Sequence, residues 1–158
     1  MREELLTLLK LKQLARTGWV RAGVENPESV ADHSWGMAIL ALRLCPEGLD
    51  LCKVLSMCIM HDVAEILVGD LTPHDDIKGK EKHDLERAAM NKIAPQWIDL
   101  FDEYEGGESP EARFVKTIDK LDMGLQAITY QSTGLVLDEF ITSAQAHTNG
   151  TEFASLLD

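Results

Sequence analysis

The chain has 158 residues, of which 45% are apolar, so it is long and apolar enough to form a globular domain with a sizeable core. Its formal net charge of −12 argues against a general binder of nucleic acid or of membrane surfaces, because both activities require basic surface. That charge still allows a small anionic substrate in a locally basic pocket.

Targeting signals and disulfide patterns are not evident. No apolar run approaches the ~20 residues of a membrane-spanning helix. The opening MREELLTLLK carries acidic residues and lacks the small-residue cleavage site of a secretory signal. The three cysteines, Cys45, Cys52 and Cys58, form no C-x-x-C pair, and an odd number is typical of a reducing compartment. We therefore expect a cytoplasmic protein.

Helical periodicity begins at the N-terminus. Leu5, Leu8, Leu9 and Leu11 predict an amphipathic helix that fades near Gly18.

Stronger boundary signals follow. Ser29 and Asp32 form a capping-box pattern at the start of a second predicted helix, which ends before Pro46. A third helix is predicted over residues 51–67, with Gly69 as its stop signal.

The C-terminal half is also helical in pattern. Residues 79–104 predict helix with a break near Pro95, and a long helix is predicted to begin at Ser109 and Pro110. Period-two alternation, which would indicate strands, does not persist anywhere. We therefore predict an all-α bundle that forms a single domain over residues 1–158.

The segment CIMHDVAEILVGD places ionisable side chains in a helix that otherwise reads as buried. They are His61, Asp62, Glu65 and Asp70. Because Glu65 follows His61 by four residues and Asp62 by three, it shares a helix face with both. Burying unpaired charges is costly, so this cluster requires a compensating partner.

Two further residues indicate that the compensating partner of this cluster is a metal ion. His33 and Asp119 lie on the apolar stripes of two other predicted helices, so three helices direct metal-binding side chains inward. Two imidazoles and two carboxylates would bind a divalent cation and leave open positions for water and substrate. Each residue alone also fits a simpler role, a buried histidine for His33 or an acid ion-paired with Lys116 or Lys120 for Asp119.

Four segments carry a resemblance to a known family: RTGWV, ESVADHS, HDVAEILVGDLTP and EARFVKTIDKLD, spread over residues 16–122. Together they resemble the HD-domain metal-dependent phosphohydrolases, in particular the 5′-deoxynucleotidase-like branch. The resemblance implies an all-α HD-domain bundle that hydrolyses deoxyribonucleoside 5′-monophosphates to nucleoside and phosphate. It implies His33, His61, Asp62 and Asp119 as ligands of one divalent metal ion, drawn from Mn, Co, Fe, Ni and Zn.

The resemblance also implies roles for the remaining residues of these segments. Glu65 is the implied proton-transfer residue and Asp70 a second active-site acid. Arg16 is expected to bind the substrate phosphate, since a guanidinium can do so in a bidentate manner. Trp19 is expected to pack against the sugar or base and to oppose a 2′-hydroxyl. A homodimer is the expected assembly, with a nucleotide as the ligand.

Other functions remain open at this point. Two histidines with a carboxylate also describe a non-haem iron oxygenase, which oxygen consumption with Fe(II) would reveal. A metal-stabilised module without turnover is a third reading, although such a site has no need of Glu65 and Asp70. Other phosphate esters, including cyclic nucleotides and triphosphates, remain open within the phosphohydrolase class. His74 and His83 show no paired spacing, which favours one metal ion per chain.

Overall fold

The structure, a computed structural model, describes residues 1–158, and its regular elements are all helices, apart from one isolated β-bridge between Ala15 and Ser29. Its nine α-helices are α1 (Arg2–Leu8), α2 (Thr17–Arg21), α3 (Val30–Leu44), α4 (Leu51–Met60), α5 (Glu65–Val68), α6 (Gly79–Ile93), α7 (Ile98–Gly106), α8 (Pro110–Gln131) and α9 (Asp138–Thr148). Short 3₁₀ helices lie at Leu9–Gln13, Pro95–Trp97 and Ala154–Leu157. The prediction of an all-α fold is confirmed. None of the helices combines the length and apolarity needed to cross a membrane.

Local signals place several helix ends as predicted. The Asp32 backbone N–H donates to Ser29 Oγ at 3.1 Å, and the Ser29 N–H donates to the Asp32 carboxylate at 2.8 Å. This capping box satisfies two N–H groups that the first turn of α3 leaves free. Ser29 and Ser109 act alike, since the Ala112 N–H donates to Ser109 Oγ at 3.1 Å at the start of α8.

The predicted N-terminal helix is wrong as a continuous element. Its α-helical part ends at Leu8, and the chain becomes extended at Leu14 before α2 begins. Backbone bonds to a distant segment cause the change, because the Val30 N–H donates to Leu14 O at 2.8 Å and the Arg16 N–H donates to Glu28 O at 3.0 Å.

The predicted third helix is also interrupted, at residues 61–64, between α4 and α5. The Glu65 N–H donates to Asp62 O, and the Val63 N–H donates to Met60 O, so bonds to the third residue back replace α-helical bonds here. The apolar pattern continues through this turn, which is why periodicity did not reveal it. Gly69 ends α5 as predicted, with a φ of 81° that favours glycine.

Helix α8 organises the bundle, because it packs against α3, α4, α7 and α9. Its residues Val115, Ile118 and Leu121 are fully buried in the main apolar core. A smaller apolar cluster around Trp19 and Ala127 joins α2 to the C-terminal half of α8. As a result, the inner face of α3, the turn after α4 and the middle of α8 meet at one place.

Candidate metal centre

The four predicted metal ligands converge where these three elements meet. Ligand atoms of His33, His61 and Asp62 lie within 4.8 Å of one another. On α8, Asp119 Oδ1 lies 3.2 Å from His33 Nε2, and Asp62 Oδ2 lies 3.0 Å from His61 Nε2. The fold therefore gathers two imidazoles and two carboxylates from distant parts of the sequence.

The hydrogen bonds of the two histidines fit a divalent metal ion. Nδ1 of His33 donates to Asp122 Oδ2 at 2.7 Å, and Nδ1 of His61 donates to Cys58 O at 3.0 Å. Both Nε2 atoms are buried and have no hydrogen-bond partner. With its proton on Nδ1, each imidazole offers the Nε2 lone pair, which is the form that binds a metal. Carboxylate oxygens beside these lone pairs complete a donor set suited to a divalent cation.

The electrostatics of the cluster also favour a cation. Burial opposes a charge on His33, but the nearby carboxylates of Asp119 and Asp122 outweigh it and raise the pKa of His33 to about 9. Burial likewise opposes ionisation of Asp62, yet the two histidines and Arg16 lower the pKa of Asp62 well below its usual range. Ionised carboxylates thus surround the imidazoles, and positive charge is stabilised between them.

Glu65 lies beside this cluster at the start of α5. It is 4% exposed, and its Oε2 atom has no hydrogen-bond partner. Burial and the negative charges of Asp62 and Asp70 raise the pKa of Glu65 well above its usual range. A carboxyl group with a raised pKa and a free oxygen suits proton transfer near neutral pH.

Asp70 contacts a segment that sequence spacing could not identify. Its Oδ2 atom accepts a hydrogen bond from the Thr17 backbone N–H at 2.6 Å, which joins the end of α5 to the start of α2. Asp70 therefore has a positioning contact in addition to its place beside the cavity described next.

A cavity of about 1010 Å³ opens over the metal centre, a volume suited to a small-molecule ligand. Its lining includes the acidic and imidazole groups His61, Asp62, Glu65, Asp70 and Asp119. It also includes the cationic side chains Arg16, Arg21, Lys82, Lys116 and Lys120. Arg16 Nη1 lies 3.5 Å from Asp62 Oδ2, and Lys120 Nζ lies 2.9 Å from Asp119 Oδ2. Carboxylates outnumber cations in the lining, which also contains Glu86, Glu105 and Glu139, but individual cationic side chains lie next to the candidate metal centre.

Trp19 lines the same cavity but is only 1% exposed. Its Nε1–H donates to Glu28 Oε1 at 2.8 Å, and its ring centre lies 4.4 Å from that of Phe140 and 5.3 Å from that of Tyr130. Gly18 allows this packing, since a Cβ there would lie 3.2 Å from the Phe140 ring. The geometry supports Trp19 as a fixed part of the cavity wall next to Arg16.

Sequence reasoning missed the wall that α9 contributes. Its cavity-lining residues are Glu139, Phe140, Ser143 and His147. Their spacing of three to four residues indicates one helix face. Nothing in the sequence, however, indicates that this face lies over the cavity rather than over solvent.

Comparisons with known proteins identify the family. The HD domain family model matches residues 8–156. The chain is 40% identical to "5'-deoxynucleotidase hdd1" of Schizosaccharomyces pombe, over 78% of this chain and 69% of that protein. It is 39% identical to "5'-deoxynucleotidase HDDC2" of Homo sapiens, over 77% of this chain and 64% of that protein. The chain thus spans about two thirds of the length of these relatives.

Among solved structures, the PH0347 protein from Pyrococcus horikoshii OT3 superposes with a TM-score of 0.87 at 38% identity, covering 99% of this chain and 94% of that one. A predicted metal-dependent phosphohydrolase from Magnetospirillum magnetotacticum MS-1 gives a TM-score of 0.71 at 26% identity, with 99% and 88% coverage. The chain therefore belongs to the HD-domain family, within its 5′-deoxynucleotidase-like branch.

Proposed function

We propose that this chain is a metal-dependent phosphomonoesterase that hydrolyses deoxyribonucleoside 5′-monophosphates to deoxynucleoside and phosphate. The observation that carries the proposal is the buried imidazole–carboxylate cluster beneath a cavity with cationic side chains. The imidazole and carboxylate groups would hold a metal ion that promotes hydrolysis. The cationic side chains of the cavity suit the phosphate of a monoester, which carries nearly two negative charges. The relatives named as 5′-deoxynucleotidases support the deoxynucleotide as substrate.

His33, His61, Asp62 and Asp119 would hold one divalent metal ion. A mixed imidazole and carboxylate set accepts Mn, Co, Fe, Ni or Zn, and ligand identity alone does not select among them. When bound, such an ion lowers the pKa of coordinated water and screens the charge of the phosphoryl oxygens.

The protein's own groups then position the ester and move protons. We assign Arg16 to the binding of phosphate oxygens, and its position 3.5 Å from Asp62, beside the metal ligands, supports this assignment. Attack of water on phosphorus forms a new P–O bond and breaks the bond to the 5′-oxygen of the sugar. We assign proton transfer to Glu65, whose carboxyl group would take up the proton that the attacking water loses and give a proton to the departing 5′-oxygen. Asp70 acts as a second acid at the cavity and holds the segment next to Arg16.

Selectivity for the deoxy sugar is assigned to the wall around Trp19. The ring is fixed by Glu28 on one side and by Phe140 and Tyr130 on others, so it cannot move aside without breaking those contacts. A rigid apolar wall offers no hydrogen-bond partner to a 2′-hydroxyl, whose desolvation would therefore be unfavourable.

We further propose a single HD domain over residues 1–158 that acts in the cytoplasm as a homodimer. Support for the dimer comes from α3, where Trp35, Ile39 and Leu42 form an outward stripe and are 67%, 44% and 56% exposed. Large apolar residues at this helical spacing are typical of a protein interface. Light scattering would test this assembly, and Ile39→Glu is expected to convert the dimer to a monomer.

The activity is tested by phosphate release from a nucleotide panel. Metal-stripped protein receives Mn, Co, Fe, Ni or Zn in turn, and each deoxynucleoside 5′-monophosphate is paired with its ribose counterpart. Metal-dependent release that favours the deoxy forms is expected. If the protein binds metal but releases no phosphate from any monophosphate, the proposed function is wrong.

A further inference from the structure

We propose that Asp122 is a positioning residue of the metal centre, and that Gly36 provides the space in which the Asp122 carboxylate holds His33. This inference rests on the proposed role of His33 as a metal ligand. It extends the site beyond its ligands, to two residues that have no contact with the substrate cavity.

The first observation is that the two nitrogens of His33 face two different carboxylates of α8. Asp122 follows Asp119 by three residues, so both carboxylates lie on the same face of α8. Nδ1 of His33 donates to Asp122 Oδ2 at 2.7 Å, while Nε2 lies 3.2 Å from Asp119 Oδ1. Asp122 thereby keeps the ring proton on Nδ1 and directs the Nε2 lone pair to the metal side. Since His33 is fully buried, water offers little competition for that bond.

The second observation concerns the space around Asp122. Gly36 lies on α3, one turn after His33, and a Cβ at this position would overlap Asp122 Oδ1 and lie 3.1 Å from its Cγ. Glycine inside a helix is destabilising relative to alanine, so its presence in α3 needs a reason. Close approach of the Asp122 carboxylate to the α3 backbone supplies that reason.

A second metal site is the competing interpretation, because ligand atoms of Glu28, His33 and Asp122 also lie within 4.8 Å of one another. The hydrogen bonds argue against it. Nδ1 of His33 is already paired with Asp122, and Glu28 Oε1 accepts the Trp19 Nε1–H at 2.8 Å. These groups are therefore engaged with protein partners, in contrast to the unpartnered Nε2 atoms of the ligand histidines.

The test is the dissociation constant for Co²⁺, followed by the absorption of the bound ion as metal-free protein is titrated. The loss of a hydrogen-bond partner behind a metal-bound histidine typically weakens binding by about 10- to 100-fold. We expect a loss of that size for Asp122→Ala and a smaller loss for Asp122→Asn, whose amide oxygen still accepts from Nδ1. Gly36→Ala should also weaken Co²⁺ binding, because it displaces an intact carboxylate. Gly106→Ala, at a helical glycine with open space around it, is the matched control.

The double variant Gly36→Ala/Asp122→Ala gives the sharpest result. If Gly36 only accommodates Asp122, the alanine at 36 should add no further loss once that carboxylate is gone. Equal penalties for Gly36→Ala in both backgrounds would overturn the pairing. Thermal unfolding of each metal-free variant identifies any that do not fold. If Asp122→Ala is one of them, Asp122→Leu decides, since leucine has a similar shape but offers no acceptor to Nδ1, and unchanged Co²⁺ affinity in that variant would overturn the role of Asp122.

His33→Ala separates this inference from the function on which it rests. If His33→Ala weakens Co²⁺ binding and Asp122→Ala does not, Asp122 is not a positioning residue. If His33→Ala itself binds Co²⁺ like the wild type, the proposed ligand set is wrong, and the inference falls with it.

Discussion

The backbone N–H of Thr17 donates to Asp70 Oδ2 at 2.6 Å, so the first turn of α2 is attached to the residue that follows Gly69. Arg16 directly precedes Thr17, and its guanidinium lies 3.5 Å from Asp62. One hydrogen bond thus connects the end of the histidine–aspartate segment to the main cation beside the metal centre. We therefore expect Asp70 to influence substrate binding through Arg16 as well as through its own charge.

Replacing Asp70 separates these two contributions. Asp70→Ala should raise KM by about tenfold or more, since a hydrogen bond to a charged group contributes about 1.5–3 kcal/mol. Asp70→Asn keeps an oxygen acceptor for the Thr17 N–H, so its KM should stay closer to the wild-type value while kcat falls. Initial rates of phosphate release at saturating metal measure both constants. The control is Asp76→Ala, at an exposed position of the following loop, and an unchanged KM in Asp70→Ala would contradict the role.

Replacement of a proposed metal ligand should reduce phosphate release because the protein no longer holds the metal ion. His61→Ala and Asp119→Ala are each expected to lose most bound metal after dialysis, and phosphate release with it, because the proposed site holds one ion with four donors. Elemental analysis and the release assay give the two readouts. His83→Ala is the matched control, since that imidazole pairs with Glu105 at 3.3 Å, outside the ligand set. Full metal content in Asp119→Ala would remove Asp119 from that set.

Chelation of the metal should lower the unfolding temperature. An ion that binds the native state and not the unfolded chain stabilises the protein by mass action. Wild-type protein should therefore unfold at a lower temperature after treatment with chelator, whereas Asp119→Ala should show almost no shift. An equal shift in both proteins would indicate metal bound elsewhere.

Glu65→Gln distinguishes turnover from metal binding. The amide has nearly the same shape as the carboxyl group but acts neither as a general acid nor as a general base near neutral pH. We therefore expect kcat to fall by about 10²- to 10⁴-fold. Metal content should stay at the wild-type level, because Glu65 is not among the four ligands. Single-turnover phosphate release combined with metal analysis makes the comparison. Wild-type turnover in this variant would end the assignment of proton transfer to Glu65.

Local signals in the sequence were sufficient for part of the fold. The Ser29–Asp32 capping box and the Ser109 cap are short-range interactions, and the helices they begin are where the sequence placed them. The inward positions of His33 and Asp119 were predicted from the apolar helix stripe on which each residue stands, and the structure places both side chains toward the interior. These predictions needed only helical geometry and the tendency of apolar faces to face a core.

Long-range interactions account for what the sequence did not reveal. The extended conformation at Leu14 depends on a backbone bond to Val30, and the reach of Asp70 depends on Thr17. The roles of Gly36 and of the α9 wall likewise require knowledge of which helices touch. Periodicity describes one helix at a time, so it carries no information on such contacts.

The crossing of α8 and α9 gives a last prediction, at Gly124. A Cβ at this position would lie 2.7 Å from Ala144 Cβ and 2.7 Å from Leu157 Cδ2, so the two helices approach each other as closely as glycine allows. Gly124→Ala should overpack this crossing and cost about 1–3 kcal/mol of unfolding free energy. For a chain of this size, that corresponds to a fall in Tm of roughly 2–4 °C per kcal/mol.

Gly124→Ala should also alter the cavity, through a displacement of α9. Because α9 lines the cavity, its displacement by Gly124→Ala is expected to raise KM, while Co²⁺ affinity stays unchanged because no ligand lies on α9. Thermal unfolding, steady-state kinetics and metal titration report these three quantities separately. Gly106→Ala should leave all three close to wild type, since a Cβ there meets open space. A stable Gly124→Ala with wild-type KM would show that the crossing tolerates the methyl group and that α9 does not set the shape of the cavity.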